Sequence, residues 1–191
     1  MKKSTKSICI IIIMALVLGM FVPVVGMETQ AAKKVTANLN RKKAPSVKVG
    51  TTTITTKVKL KSKGDTVNPI GSYVRFKAPK KGTYQFTMSN LRYKSNPGED
   101  ALGSLYFENS KGVAIRFKTQ SGKSDSLSFT PFDYIDEEED GEEGEEGEIT
   151  TGTVPKPRTA TIKLKKGQTI YLYFESIEAA TYTYNLKIKK K

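Results

Sequence analysis

Four side chains in one stretch are of the types that hold a ligand without reacting with it. Tyr171 and Tyr173 alternate with Ile170, Leu172 and Phe174, so on an extended strand both rings leave the same side. There they can stack flat against sugar or peptide. Just upstream, Lys163 and Lys165 alternate with Ile162 and Leu164 and offer compact positive charges to anionic groups. These four are the candidate ligand-binding residues. If the tyrosine side is exposed, Tyr93 or Tyr106 extends the platform. If the strand is central and buried on both faces, or if the rings cover lysine stems, the same tyrosines are packing. The absence of Trp argues against a strong carbohydrate-stacking surface.

Residues able to make or break bonds are scarcer. The chain has no His and a single cysteine, Cys9, which excludes Ser-His and Cys-His catalysis, disulfides and the usual zinc sites. From Lys33 onward, the only acids outside one acidic run are Asp65, Glu99, Asp100, Glu108, Asp125, Glu175 and Glu178. A glycosidase needs two carboxylates held about 5–10 Å apart. Glu99-Asp100 follows a Pro-Gly turn and Glu175/Glu178 lies at the end of a strand pattern, so both pairs read as solvent-facing. No catalytic residue, cofactor or enzyme activity is expected.

The acidic run, Asp133 to Glu148, holds 11 of the 19 acids and no base. Carboxylates suit hard cations, but the spacing matches no ordered calcium loop. The reading is a solvated, disordered insertion at about 133–157, with weak cation binding at Asp136, Glu138 and Asp140 as the alternative and no specific metal site. The rest of the chain is strongly basic. Against a net charge of +13 for 191 residues, the region from Lys33 without the run carries 29 Lys and Arg and 7 acids. Charge of one sign attracts polyanions at long range. Lysine also simply keeps strand faces soluble and edges unpaired. The candidate partners are an anionic polymer, a polysaccharide or an extracellular protein, with no specific nucleic-acid readout and a monomeric chain. The insertion is itself a polyanion and would compete for the same surface.

These groups are carried on extended segments. Period-two alternation runs through Ile54–Leu60, Val74–Phe76, Tyr84–Met88, Leu105–Phe107, Val113–Phe117, Leu127–Phe129, Ile162–Leu164, Ile170–Phe174 and Tyr182–Ile188. Turn residues such as Lys80-Lys81-Gly82, Asn96-Pro97-Gly98 and Lys165-Lys166-Gly167 separate them. The fold class is all-β: an antiparallel β-sandwich or barrel of about nine strands. It should occupy 51–191, after a basic segment at 33–50. Residues 1–32 read as a signal peptide, with basic Lys2, Lys3 and Lys6, an apolar run Ile8–Val25 and small residues at Ala31-Ala32. The protein is therefore expected to be secreted, extracellular or held at the cell surface, with membrane contact only through the signal before cleavage.

Four blocks together resemble the bacterial pre-peptidase C-terminal domain. They are Tyr73-Val74-Arg75-Phe76 with Lys80-Lys81-Gly82-Thr83-Tyr84, Leu105 to Gly112, Ile162 to Leu172, and Ala180 to Ile188. The resemblance covers about residues 70–190. It implies a secreted jelly-roll-like sandwich without catalytic residues, usually appended to exported enzymes. Relatives in collagenases hold calcium with acids on the amino-terminal side. Residues 33–64 here contain ten Lys/Arg and no acid, so that site is not carried over. The expected role is a non-catalytic binding module for an anionic surface polymer or polysaccharide. The alternative is an accessory module that supports a separately encoded secreted enzyme or a surface assembly.

Overall fold

The computed structural model describes residues 33–64, 66–119, 122–130 and 157–191. Residues 1–32, read above as a signal peptide, and the cation-binding candidates Asp136, Glu138 and Asp140 lie outside them.

Alternation of Thr, Val, Ile and aromatic residues with Lys, Thr and Ser drives nearly every segment into strand, because such side chains fit a pleated, half-buried surface. The strands are β1 (Lys33–Thr36), β2 (Ser46–Val47), β3 (Gly50–Lys57), β4 (Lys59–Lys63), β5 (Thr66–Ile70), β6 (Ser72–Lys77) and β7 (Gly82–Tyr93). They continue as β8 (Gly103–Glu108), β9 (Phe117–Thr119), β10 (Gly122–Ser124), β11 (Ser126–Phe129), β12 (Arg158–Leu164), β13 (Thr169–Glu175) and β14 (Thr181–Lys190). Seven form one sheet in the order β1-β3-β14-β7-β12-β9-β10, and five form the second in the order β11-β8-β13-β6-β2. From β6 to β8 and from β11 to β14 the chain passes from sheet to sheet at each step, which is jelly-roll-like winding. The β4–β5 hairpin stands as a separate two-stranded arm.

The expected sandwich is present, with fourteen strands among the described residues rather than nine. The five extra strands are short or peripheral. Two come from residues 33–50, read above as a basic segment ahead of the sandwich. There β1 pairs parallel with β3 at the edge of one sheet, and β2 pairs parallel with β6 at the edge of the other. A 3-10 turn at Arg41–Lys43, capped by the Asn40 side chain accepting from the Lys42 N–H, links the two.

Two departures from simple alternation have physical causes. Along β7, Tyr84, Phe86 and Met88 point inward, yet Leu91 is also fully buried. Asn90 takes a left-handed φ of 54°, and the pairing with β14 shifts between Thr183 and Asn185. This bulge adds one residue and switches which positions face the core. The run Val113–Phe117 is not one strand. Ile115 still bonds the Phe107 carbonyl at 2.7 Å in the five-stranded sheet, while Phe117 belongs to β9 in the other. Val113 lies in the turn and is 59% exposed.

Phenylalanines from the two sheets close the core. Phe76 meets Phe86 edge-on at 5.4 Å, Phe86 meets Phe107 at 5.2 Å, and Phe107 meets Phe117 at 4.9 Å. The donors of these rings alternate between sheets, which locks one inner face against the other. All four are buried, each contributing roughly 1.5–3 kcal/mol by leaving water.

Candidate functional site

The sandwich has two outer faces, and the four candidate residues do not share one. Tyr171 and Tyr173 lie on β13, the middle strand of the five-stranded sheet, on its outer side. Cross-strand register sets Tyr173 opposite Tyr106 of β8 and Tyr73 of β6. Three half-buried rings thus form a row across three strands, with centroids 4.6 Å apart for Tyr73–Tyr173 and 6.3 Å for Tyr106–Tyr173. The Tyr173 hydroxyl accepts from the Gly71 N–H at 2.9 Å, which fixes its ring. Gly71 is required there, because a Cβ would sit 1.9 Å from the Phe174 carbonyl oxygen.

Electrostatics around the row follow from burial and nearby carboxylates. Burial pushes the Tyr173 phenol up to about 12, helped by Glu175 and opposed by the Gly71 N–H. Tyr106 is raised by burial and then by Glu175. Tyr73 is raised by burial and then by Glu108. Glu108 is itself raised, because burial outweighs the lowering effect of Arg41.

Tyr171 is engaged by its own chain. The Arg41 guanidinium lies over its ring, 4.0 Å from the centroid, and pairs with the Glu108 carboxylate at 3.0 Å. The same guanidinium donates to the Asn109 and Ser110 carbonyls. Arg41 therefore pins the 3-10 turn to this face, with Tyr171 beneath it. Tyr106 joins the row through Tyr173. Tyr93 does not: it belongs to β7, packs on Tyr182 at 5.1 Å and donates its hydroxyl to Glu178. Arg41, Tyr73 and Glu108 complete the face, and periodicity along one strand cannot reveal them because their adjacency is made by pairing between strands.

Lys163 is on β12 in the other sheet, and Lys165 lies in the β12–β13 turn, its N–H donating to the Gln168 side-chain oxygen. Neither joins the tyrosines. Lys163 belongs instead to the outer face of the seven-stranded sheet. The register aligns Lys123, Lys118, Thr161, Gln85 and Lys189 in one row across five strands. A second row runs Thr159, Thr87, Lys187 and Thr51. A third runs Ser89, Asn185, Thr53 and Lys34. Hydroxyl and amide contacts knit the face: Thr53 donates to Asn185 at 3.0 Å, and Thr87 and Thr159 are 3.2 Å apart.

None of the seven strands contains Asp or Glu. Lys34, Lys118, Lys123, Lys163, Lys187 and Lys189 on this face are all exposed. Lys118 and Lys123 are direct cross-strand partners, an arrangement of like charges that disfavours the pairing. The face can do one thing well: attract and spread along an anion of many charges. Among the described residues, no group of three or more carboxylates, cysteines or histidines is placed to hold a metal ion.

No family model and no curated protein matches the chain.

Proposed function

We propose that the protein is a non-catalytic, secreted binding module that captures an anionic surface polymer or polysaccharide on the outer face of its seven-stranded sheet. The observation that supports this reading most strongly is that seven adjoining strands present exposed lysines and not one carboxylate. A face kept soluble by charge alone is ordinarily mixed in sign. Here the like-charged Lys118–Lys123 pair adds repulsion that a bound polyanion relieves. Lysine, a strongly hydrated point charge without a planar fork, suits attraction that ignores sequence or linkage. Secretion rests on the amino-terminal signal pattern, and kinship with the pre-peptidase C-terminal domains rests on the four residue blocks quoted above.

The test is binding to an immobilised phosphate- or carboxylate-bearing polymer at two salt concentrations. For about four lysine–anion contacts, affinity should fall roughly a hundredfold between 50 and 200 mM salt. Replacing Lys118, Lys163, Lys187 and Lys189 with Gln should remove most of that dependence. Binding that ignores salt, or survives the four substitutions, overturns the reading.

A second reading, an accessory module that binds a partner protein, is favoured by the Tyr106–Tyr173–Tyr73 row. Contact through that row would survive high salt, so the same experiment separates the two.

A further inference from the structure

The β4–β5 arm extends the lysine face beyond the sandwich. Lys57 closes β3 on its outer side, and Lys59, Lys61 and Lys63 follow at alternate positions along β4; all four are exposed. The root of the arm is fixed, since Val58 between them is buried and its N–H bonds the Ala180 carbonyl at 2.9 Å. Beside the row, β5 sets Ile70, Asn68 and Thr66 opposite Lys59, Lys61 and Lys63. Neither strand of the arm contains an acid or an aromatic residue.

A strand fixes the pitch of such a row. At about 3.3 Å per residue, alternate side chains repeat every ~6.6 Å. A backbone of three bonds per repeat spans about 3.5 Å when extended, as a polypeptide does, so six bonds span ~7 Å. We propose that the row Lys57–Lys59–Lys61–Lys63 is fitted to a linear polymer with one phosphodiester per six backbone bonds, namely a phosphate chain of a three-carbon polyol. This deepens the anionic-polymer reading and rests on it. A single-stranded nucleic acid has the same six-bond repeat, but its binding grooves add aromatic rings on which bases stack. This row has Thr and Asn beside it and no ring. A uronic polysaccharide carries its charges on stiff rings that turn from one residue to the next, so successive carboxylates face different sides of the chain. Each lysine meets a diester oxygen as a point charge, and the flanking Asn68 and Thr66 side chains are placed to bond the polyol hydroxyls.

The experiment uses three probes of matched charge number: a synthetic oligo(glycerol phosphate), a single-stranded oligodeoxynucleotide and dextran sulfate. The decisive variant exchanges neighbours, Lys61→Ser with Ser62→Lys. It keeps net charge but moves one cation to the side of the arm that bears Leu60 and Val67. The expected result is tightest binding to oligo(glycerol phosphate), weakened about fivefold by the exchange, with dextran sulfate unaffected. Replacing Lys59, Lys61 and Lys63 together with Gln should lower the salt slope for oligo(glycerol phosphate) by about two. An exchange that changes neither polymer, or both equally, overturns the fitted pitch while leaving general polyanion binding intact. Tighter binding of the oligonucleotide overturns the choice of a base-free chain. Failure of all three probes to bind at low salt overturns the anionic-polymer reading itself, and this inference with it.

Discussion

The two outer faces of the sandwich are built on one core and by one rule of alternation, yet they differ in kind. On the seven-stranded sheet the outward positions are mainly Thr and Lys, with Ser89, Arg92, Asn185 and Gln85 among them. On the five-stranded sheet they include Tyr73, Tyr106, Tyr171, Tyr173, Glu108 and Glu175. The exposed lysines of the first face have no carboxylate on their own strands. The second satisfies itself: Arg41 covers Tyr171 and pairs with Glu108, and Tyr173 is wedged between two rings and tied to Gly71. A face whose groups are already partnered contributes stability. A face whose charges repel one another gives up some stability and gains attraction for an outside polyanion.

The largest expected effect strikes both faces together. Phe86→Ala removes a ring that meets Phe76 and Phe107 of the opposite sheet and should cost about 3–5 kcal/mol. Denaturant unfolding should remain a single transition, since the faces share that core. A variant that loses one sheet while keeping the other would break the claim of a common core.

Next in size is Tyr173→Ala, which removes two ring contacts and should cost about 1–2 kcal/mol without altering polyanion affinity. The same residue sets a pH response. Its phenol is held up at about 12 in the folded chain, against ~10 when unfolded. The folded state therefore retains a proton that the unfolded state releases. The associated stability is present below pH ~10 and is lost as pH rises toward 12. In Tyr173→Phe that share of the alkaline loss should vanish, as read by thermal melts at rising pH.

The sandwich itself was legible from alternation. Phe76, Phe86 and Leu172 are buried as the pattern requires, and Ile115 packs against the core. The bulge at Asn90 was not legible, because one inserted residue is invisible until the partner strand is known. Short edge strands such as β1 and β2 show no periodicity of their own and form because the sheets offer open edges. The candidate site was half legible. Tyr171 and Tyr173 share a face as their spacing dictates, and Tyr106 joins them. Lys163 stays apart from the tyrosines because neighbours in sequence, β12 and β13, are separated into different sheets. The acid-free strands could be read from composition, but their assembly into one face depends on strand order.

Smaller effects sharpen the contrast. Arg41→Ala should cost about 1 kcal/mol and raise the exposure of Tyr171, measurable as faster iodide quenching of tyrosine fluorescence, again with polyanion binding nearly intact. Lys123→Glu should do the reverse. Opposite Lys118 it converts a repulsive cross-strand pair into an attractive one, raising stability by roughly 0.2–1 kcal/mol while weakening polyanion capture. Stability and binding moving in the same direction in that variant would contradict the division of roles between the faces.

Backbone amide NMR during titration with oligo(glycerol phosphate) locates the bound polymer directly. The expected shifts fall on Gln85, Thr161, Lys118, Lys187 and Lys189, continue into Lys57–Lys63, and fade as salt is added, while Tyr73, Tyr106 and Tyr173 stay still. Shifts concentrated in the tyrosine row, with the lysine rows silent, would place recognition on the opposite face and contradict the account.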